Sequence, residues 1–523
     1  MTATVSDNNR RIAHNTGILY IRVILTLFLT LFSTRYVLLG LGSEDFGTYN
    51  LIAGVVALFT FISGTMAATT QRFISFEYGA THDINKVARV FNTSIILHLI
   101  IATIVFIIII SVGILLIDRV LSIPPGNIGQ AKIVLVSVAV GLIWTIMSVP
   151  FEATLMAHEN IIFFAIIQLL GVFLKFGIAL LLLIIDNNRL VIYAILMAGV
   201  PLIVLLCQAI YCFKNYNETH LNKHLLDLRR NAYIKPMTSF ASYALFGNIG
   251  WTIRAQGFSI ILNIFWGVLI NAANGIANQV SAALLTFSIS LTTSIRPQLI
   301  QAAGEGNNER LIKLTKAACK YPFLILSIIG IPLFITMPYI LKIWLNDVPQ
   351  YSILFCRILI LDVMLNQSTI GLALIMDAKG RIKLLHTLVG SSLIITTISI
   401  YFIAQVYKSV FFVYCFIIVN DLIIITIRLF IVRHAIKIWA IPFRYKRFIF
   451  DVIIKPFFAT GTLMVCGLIF WQSKASSFLW FSLTTILTIF TYLWIVWYFL
   501  FEKNEKQQIK IIFIKLKRTV LHL

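Results

Sequence analysis

Four basic side chains fall inside apolar stretches that are long enough to cross a lipid bilayer: Arg22, Arg35, Lys175 and Arg254. Arg254 lies near the middle of residues 239–265, SFASYALFGNIGWTIRAQGFSIILNIF. A charge at that depth costs roughly 3 kcal/mol or more unless it meets a partner, water or a ligand. One interpretation is a structural ion pair or carbonyl contact. The other is a positive cavity that accepts an anion, since a guanidinium binds phosphate in a bidentate manner.

Polar side chains recur on the same segments at helical spacing. Residues three, four or seven apart share a helix face, and a polar face inside a bilayer is expected to line a cavity or to hydrogen-bond a neighbouring helix. Arg254 points roughly 120° away from the polar stripe of its own segment. The candidates for contacting a hydroxyl-rich ligand are Thr26, Asn248, Gln256, Asn271, Asn274 and Asn278.

Two acidic side chains, Asp362 and Asp421, also fall inside apolar segments. Asn366 follows Asp362 by about one helical turn, and Arg428 follows Asp421 by one heptad. Pairing with nearby cations is one role for these acids. Binding of H+ or Na+ at an ion-coupling site is the other.

Sequence signatures of common enzymes and cofactor sites are missing. The stretch AHENII (157–162) begins like the helix of a zinc protease, but Ile162 stands where the second histidine is required. His220 and His224 are four residues apart and have no third ligand nearby. There is no phosphate-binding Walker loop and no dinucleotide fingerprint. The sequence therefore predicts a protein that is not an enzyme and that has no cofactor and no metal site.

The 523-residue chain is 59% hydrophobic and only 12% charged, which is typical of polytopic membrane proteins. About 20 apolar residues cross the hydrocarbon core as a helix. Fourteen stretches meet this length, at residues 16–39, 46–71, 92–117, 133–151, 161–185, 190–213, 237–265, 267–295, 321–341, 352–376, 384–407, 409–432, 453–472 and 477–501. We therefore expect an all-α polytopic membrane protein with about fourteen transmembrane helices.

The net charge of +22 does not indicate nucleic acid, because Lys and Arg concentrate in every second loop. Of the 42 basic residues, 29 fall near the two termini and in the regions 72–89, 214–235, 296–320, 379–383 and 433–447, and only 7 fall in the alternate loops. The positive-inside rule places these regions and both termini in the cytoplasm. Anionic membrane lipids are the expected partners of this charge, and the basic tail is expected to form an interfacial helix.

Polar loops divide the chain into two lobes of six helices. We expect a first lobe at 1–213, a cytoplasmic linker at 214–236, a second lobe at 237–433, a cytoplasmic loop at 434–452, two further helices at 453–501 and a basic cytoplasmic tail at 502–523. The lobes begin alike. In each lobe a glycine-containing stretch links the first two helices, at GLGSEDFGTYN (40–50) and GVLINAANGIAN (267–278). In each lobe an arginine then falls near the end of the next helix, in TTQRFISFEYGA (69–80) and TSIRPQLIQAAG (293–304). Such pseudo-twofold repeats are typical of alternating-access transporters.

Three motifs carry a resemblance to a known family. LGLGSEDFGTYN (39–50), TTQRFISFEYG (69–79) and VPFEATLMAHEN (149–160) resemble, in this order and spacing, the O-antigen and capsule flippases. These form the polysaccharide-exporting branch of the multidrug/oligosaccharidyl-lipid/polysaccharide (MOP) flippase superfamily. The motifs cover the N-terminal 160 residues, and the rest of the chain is similar in helix count and lobe plan.

The resemblance implies a fourteen-helix protein of the bacterial cytoplasmic membrane that moves undecaprenyl-pyrophosphate-linked oligosaccharide to the outer leaflet. Polysaccharide polymerase and assembly proteins are the implied protein partners. In this family, cations in the cavity between the lobes are proposed to hold the pyrophosphate. Arg22 and Arg254 match these cations in kind and in helix.

Multidrug antiporters of the same superfamily usually place acids in the cavity of the first lobe. The spans of this first lobe instead hold Arg22, Arg35 and Lys175, and no acid at mid-depth. An anionic substrate is therefore expected. A cation-coupled drug antiporter, a membrane enzyme of polysaccharide biosynthesis and a scaffold in a glycan assembly complex are the alternatives that the sequence leaves open.

Overall fold

A computed structural model of the chain describes residues 5–57, 59–81, 83–119, 128–220, 232–345, 348–438, 444–472, 478–503 and 505–507. Within these ranges the regular secondary structure is helical, and twelve helices are long and apolar enough to cross a membrane. The expected all-α, multi-pass membrane architecture is therefore confirmed. The interfacial helix predicted for the tail lies outside the described residues, from 508 onward.

Fifteen α-helices follow one another in the described part of the chain: α1 Val5–Ala57, α2 Thr60–Thr81, α3 Ile84–Arg119, α4 Ile128–Ala157, α5 Ile161–Leu181, α6 Arg189–Asn215, α7 Ile234–Gly304, α8 Asn308–Leu345, α9 Ser352–Ser368, α10 Ile370–Ala378, α11 Lys383–Tyr407, α12 Val410–Ile438, α13 Tyr445–Phe448, α14 Lys455–Gln472 and α15 Phe478–Ile495. Short π-helices at Ile449–Ile454 and Val496–Leu500 join α13 to α14 and extend α15. The loop expected at 434–452 is therefore largely helical where it is described.

The second and seventh expected spans, at 46–71 and 237–265, are helical but are not among the twelve apolar helices. The second span is divided between the end of α1 and α2, which continues to Thr81. Both spans carry many hydroxyl and amide side chains, and they meet: Asn248 on α7 donates a hydrogen bond of 2.5 Å to the hydroxyl of Thr65 on α2. Their polarity fits a position between the lobes better than one against lipid.

The chain changes direction where the two repeated glycine-containing links were expected. In α1 the helical geometry breaks at Gly42, whose φ of 76° is readily adopted only by glycine. In α7, Phe258 and Asn274 both contact Tyr414. A straight helix would separate two residues sixteen positions apart by about 24 Å. The backbone therefore folds back between them, and α7 consists of two helical segments.

Each lobe has its own apolar core. In the first lobe, helices α3, α4 and α6 bury Val134, Ile146 and Ala194 together. In the second lobe, helices α7, α8, α9 and α12 bury an equivalent cluster around Phe355 and Tyr414, whose rings stack with centroids 3.9 Å apart. Both cores are close-packed and apolar, as the fold of each lobe requires.

The last two long helices pack on the second lobe. The ring of Phe457, on α14, lies 4.5 Å from that of Phe323 on α8. The ring of Phe481, on α15, stacks on Tyr339 of α8 at 5.1 Å. These contacts attach α14 and α15 to α8 and keep both helices away from the first lobe in the described part of the chain.

The outer surface of the bundle is apolar. Large side chains such as Ile184, Phe458 and Phe490 are at least two-thirds exposed. Soluble proteins rarely expose contiguous apolar surface on this scale. These side chains therefore face the hydrocarbon of the bilayer.

Candidate functional site

Arg22 lies inside the first lobe near the end of the bundle that carries the basic loops, which we call the basic end. Its guanidinium carbon is 5.3 Å from the ring centroid of Phe164 on α5, and the charge of Glu152 on α4 acts on it. Two residues before it, the ring of Tyr20 lies 5.9 Å from that of Phe287 on α7. Arg22 is therefore half-buried beside the boundary between the lobes.

Arg35 and Lys175 lie together at the opposite end of the first lobe. Helices α1 and α5 run side by side, and the rings of Tyr36 and Phe176 are 6.0 Å apart. The residues immediately before them, Arg35 and Lys175, are consequently at the same depth, and both side chains are exposed. Thirteen residues of helix separate Arg22 from Arg35, or about 20 Å along the helix axis. In the described part of the chain neither Arg35 nor Lys175 forms an ion pair.

The structure brings Arg254, Asp362 and Asp421 into one buried cluster, which we call the triad. One guanidinium nitrogen of Arg254 donates to Asp421 on α12 at 3.0 Å, and another donates to Asp362 on α9. The three side chains are 9%, 15% and 0% exposed, in the order Arg254, Asp362, Asp421. Arg254 is thus an internal cation of the second lobe, bound between two carboxylates.

The triad does not balance its charges. Two carboxylates share one guanidinium, and the second carboxylate oxygen of Asp421 has no hydrogen-bond partner among the described residues. Gln256, two residues after Arg254, is exposed while Arg254 is buried, so the two side chains lie on different faces of α7.

The polar candidates divide between the surface of the lobes and their interior. Asn248 reaches across to the first lobe, as described above, and Gln256 and Asn278 are exposed. Thr26 is half-buried on α1. Asn274 is buried and accepts a hydrogen bond of 2.8 Å from the hydroxyl of Tyr414. The side chain of Asn271 lies outside the described residues.

The bond between Tyr414 and Asn274 gives a first testable prediction. Substituting Tyr414→Phe removes one buried hydrogen bond and leaves the Asn274 oxygen unsatisfied, so we expect the free energy of unfolding to fall by about 1–3 kcal/mol. Thermal denaturation of the purified protein in detergent measures the change. The matched control is Tyr498→Phe, since Tyr498 is exposed. An equal effect of both substitutions would contradict the prediction.

Two charged residues that interact with the candidate site residues or their neighbours were missed as site residues by sequence reasoning. Glu152, within the VPFEATLMAHEN motif, acts on Arg22, and only the tertiary structure brings α4 and α1 together. Arg428 does not pair with Asp421. Its guanidinium instead donates to the backbone and side-chain oxygens of Asn366, at 2.9 and 3.1 Å, and to the hydroxyl of Thr369 at 3.1 Å. Arg428 thereby provides hydrogen bonds to the polar oxygen atoms at the break between α9 and α10.

Solved structures of similar fold show what architecture this chain has. A MATE structure in the bent conformation aligns with a TM-score of 0.71 at 15% identity, over 84% of this chain and 99% of that chain. An outward-facing multidrug resistance MATE family transporter of the MOP superfamily aligns with a TM-score of 0.69 at 15% identity, over 83% and 96% of the two chains. A MOP superfamily transporter from Pyrococcus furiosus Vc1, described as having a binding pocket of reverse polarity that suggests a different function, aligns with a TM-score of 0.67 at 15% identity, over 83% and 97%.

No protein-family model and no curated protein matches the chain. At 13–15% identity the structural matches show a shared fold. The chain is therefore a multi-pass membrane protein with the fold of these transporters.

Proposed function

We propose that this protein is a flippase that moves undecaprenyl-pyrophosphate-linked oligosaccharide from the cytoplasmic to the outer leaflet by alternating access. The observation that carries the proposal is the placement of Arg22, Arg35 and Lys175 in the first lobe. One cation lies near the basic end and two lie about 20 Å further along the helix axis. An anionic headgroup thus has a cation at each end of its route.

The proposed route follows from these depths. With the basic end in the cytoplasm, the pyrophosphate first meets Arg22, beside the boundary between the lobes. As the lobes rock outward, the headgroup passes toward Arg35 and Lys175. Each cation attracts an anion more strongly in a cavity that is poor in competing water than it would in bulk solvent. The lipid tail stays in the bilayer, and the exposed amides Gln256 and Asn278 hydrogen-bond to the glycan.

The comparison structures support a transporter, and one supports a change of substrate charge within the fold. The transporter from Pyrococcus furiosus Vc1 is described by the reverse polarity of its binding pocket. A pocket of this fold can therefore carry either sign of charge, and the three cations of the first lobe favour an anionic substrate here.

Ion coupling is proposed at the triad. Because two carboxylates share one guanidinium and one oxygen of Asp421 is unpartnered, a bound H+ or Na+ would neutralise the remaining charge. The same ion would weaken the hold of the carboxylates on Arg254. Its binding would thus be linked to the packing of α7, α9 and α12.

The direct test is reconstitution. Purified protein in vesicles of phosphatidylethanolamine and phosphatidylglycerol would be supplied with a fluorescent polyprenyl-pyrophosphoryl disaccharide, and the fraction reached by an impermeant quencher would be followed with time. We expect fast transfer between leaflets that depends on the protein. Absence of transfer, together with export of a cationic dye from the same vesicles, would sink the proposal.

A cation-coupled drug antiporter is the second candidate, because Asp362 and Asp421 are buried carboxylates inside the membrane. Variants of Arg254 and Asp421 do not separate the candidates, since these residues contact each other and each change disturbs both. Arg22 separates them. Substituting Arg22→Ala should strongly slow flipping by a flippase, and it should leave or improve dye export by an antiporter.

A further inference from the structure

The lobes meet at the basic end through two close backbone crossings. A Cβ atom added at Gly79 on α2 would lie 2.5 Å from the carbonyl oxygen of Gln301 on α7. A Cβ atom added at Gly304 would overlap the carbonyl oxygen of Phe76 on α2. Real Cβ atoms do not approach other atoms this closely, so the two backbones can touch here only because both positions are glycine.

Two turns flank this crossing and share one geometry. The α4–α5 turn has Glu159 at φ 54°, and the α10–α11 turn has Gly380 at φ 71°. In the first turn the backbone amide of Asn160 donates to the carbonyl of Leu155 at 2.9 Å. In the second turn the backbone amide of Arg381 donates to the carbonyl of Met376 at 3.0 Å. The pair occupies equivalent places in the two lobes, as the parallel repeat predicts.

Each turn is held by the opposite lobe. From α7, Gln301 donates to the carbonyl of Ala157 at 2.6 Å and Gln298 donates to the carboxylate of Glu159 at 3.0 Å. In the reverse direction, Arg72 on α2 donates to the carbonyl of Asp377 at 3.2 Å. The sequence repeat places Arg72 and Arg296 at matching positions, and Arg296 also lies 3.6 Å from the Asp377 carboxylate.

The first turn is anchored to its own lobe. The ring of His158 stacks on Tyr216 with centroids 4.0 Å apart, and His158 also pairs with Glu218. Burial works to raise the pKa of Glu218, but its hydrogen bond with His158, a backbone hydrogen bond and the charge interaction with His158 together outweigh burial, and the pKa lies below its ordinary value. The turn therefore presents Ala157 and Glu159 to α7 as part of a rigid body.

The closed contact leaves several buried polar atoms unsatisfied. Among the described residues, Arg296 Nε and Gln298 Oε1 have no hydrogen-bond partner, and Asp377 Oδ1 has none besides an ion-pair contact of 3.5 Å with Nε2 of His386. Each such atom costs free energy that water would recover if the lobes separated. The contact is thus tight in shape and incomplete in hydrogen bonding, which suits a surface that opens and closes.

We propose that the two lobes form a gate at the basic end, built from Gly79, Gly304, Gln298, Gln301 and Arg72. The gate is closed in this structure and opens when the lobes separate. The gate does not depend on which substrate is carried, so its test is independent of the flippase proposal. The two turns that it holds occupy equivalent places in the two lobes. Closure depends on the glycine crossing, and the reciprocal hydrogen bonds to the two turns hold it.

The test uses glycine substitutions with matched controls on the same helices. Gly79→Ala and Gly304→Ala introduce the overlaps described above. Gly64→Ala on α2 and Gly275→Ala on α7 add a methyl group that meets nothing within 4 Å. Spin labels at the exposed Lys86 and Lys313, one on each lobe, would report the separation of the basic ends by pulsed electron resonance, after replacement of the accessible cysteines Cys207, Cys415 and Cys466.

We expect the label distance to shift to longer values in Gly79→Ala and Gly304→Ala and to stay unchanged in the two controls. An unchanged distance in the gate variants, or an equal shift in the controls, would overturn the gate. Should the alanine variants not fold, Gln298→Leu with Gln301→Leu removes the hydrogen bonds without overlap. Gln279→Leu, at an exposed position of α7, is its control. An unchanged label distance in the double variant, or an equal shift in the control, would again overturn the gate.

Discussion

Replacing Arg254 with alanine is expected to lower the free energy of unfolding by about 3–5 kcal/mol, because it leaves Asp362 and Asp421 buried without their shared cation. Both carboxylates are at most 15% exposed, and Asp421 is fully buried. Such a loss is a large part of the stability of a typical domain. Denaturation in mixed micelles measures it. The exposed Arg447→Ala, at the end of α13, is a matched control that should have little effect.

Rescue variants distinguish a structural triad from a coupling site. Adding Asp362→Asn and Asp421→Asn to Arg254→Ala removes the uncompensated charge, and we expect most of the lost stability to return. If the triad couples transport to H+ or Na+, the rescued protein stays inactive. Return of transport together with stability would show that the triad only holds α7, α9 and α12 together. No return of stability would contradict the assignment of the triad as an ion-pair cluster.

Replacing Arg22 with alanine is expected to lower the rate of flipping about 10- to 100-fold, as loss of charged hydrogen bonds worth about 1.5–3 kcal/mol predicts. Arg22→Lys should keep part of the rate, because Lys retains the charge but not the bidentate geometry. The quencher assay in vesicles measures both. Lys313→Ala, on the exposed surface of α8, controls for general loss of positive charge.

The outer pair of cations should act at a different step. Arg35→Ala with Lys175→Ala removes the charge at the far end of the first lobe, so we expect the headgroup to bind at the basic end and to transfer slowly. Binding of the labelled lipid to protein in detergent should therefore fall in Arg22→Ala and stay near normal in the double variant. Equal losses of binding in both would contradict separate sites along the route.

The sequence by itself determined the features that depend on local pattern. Apolar length predicted fourteen spans, of which twelve are found among the described helices, and many of their ends agree within a few residues. Helical periodicity predicted that Arg254 faces away from its polar stripe, because each residue turns the helix by about 100°. The repeated motifs, with their arginines Arg72 and Arg296, predicted two related lobes. All of these are properties of one segment or of a repeat of it.

The tertiary structure alone decided which faces meet. The sequence left Arg254 open between a phosphate ligand and an ion pair, because Asp362 and Asp421 lie 108 and 167 residues away. In the sequence, Gly79 and Gly304 are only parts of similar motifs. The crossing of α2 and α7 explains why a side chain is excluded at both positions. Interhelical contacts in a membrane arise from packing and hydrogen bonding between distant segments. Neither leaves a periodic signal within one segment, so helix position is readable from sequence and helix partnership is not.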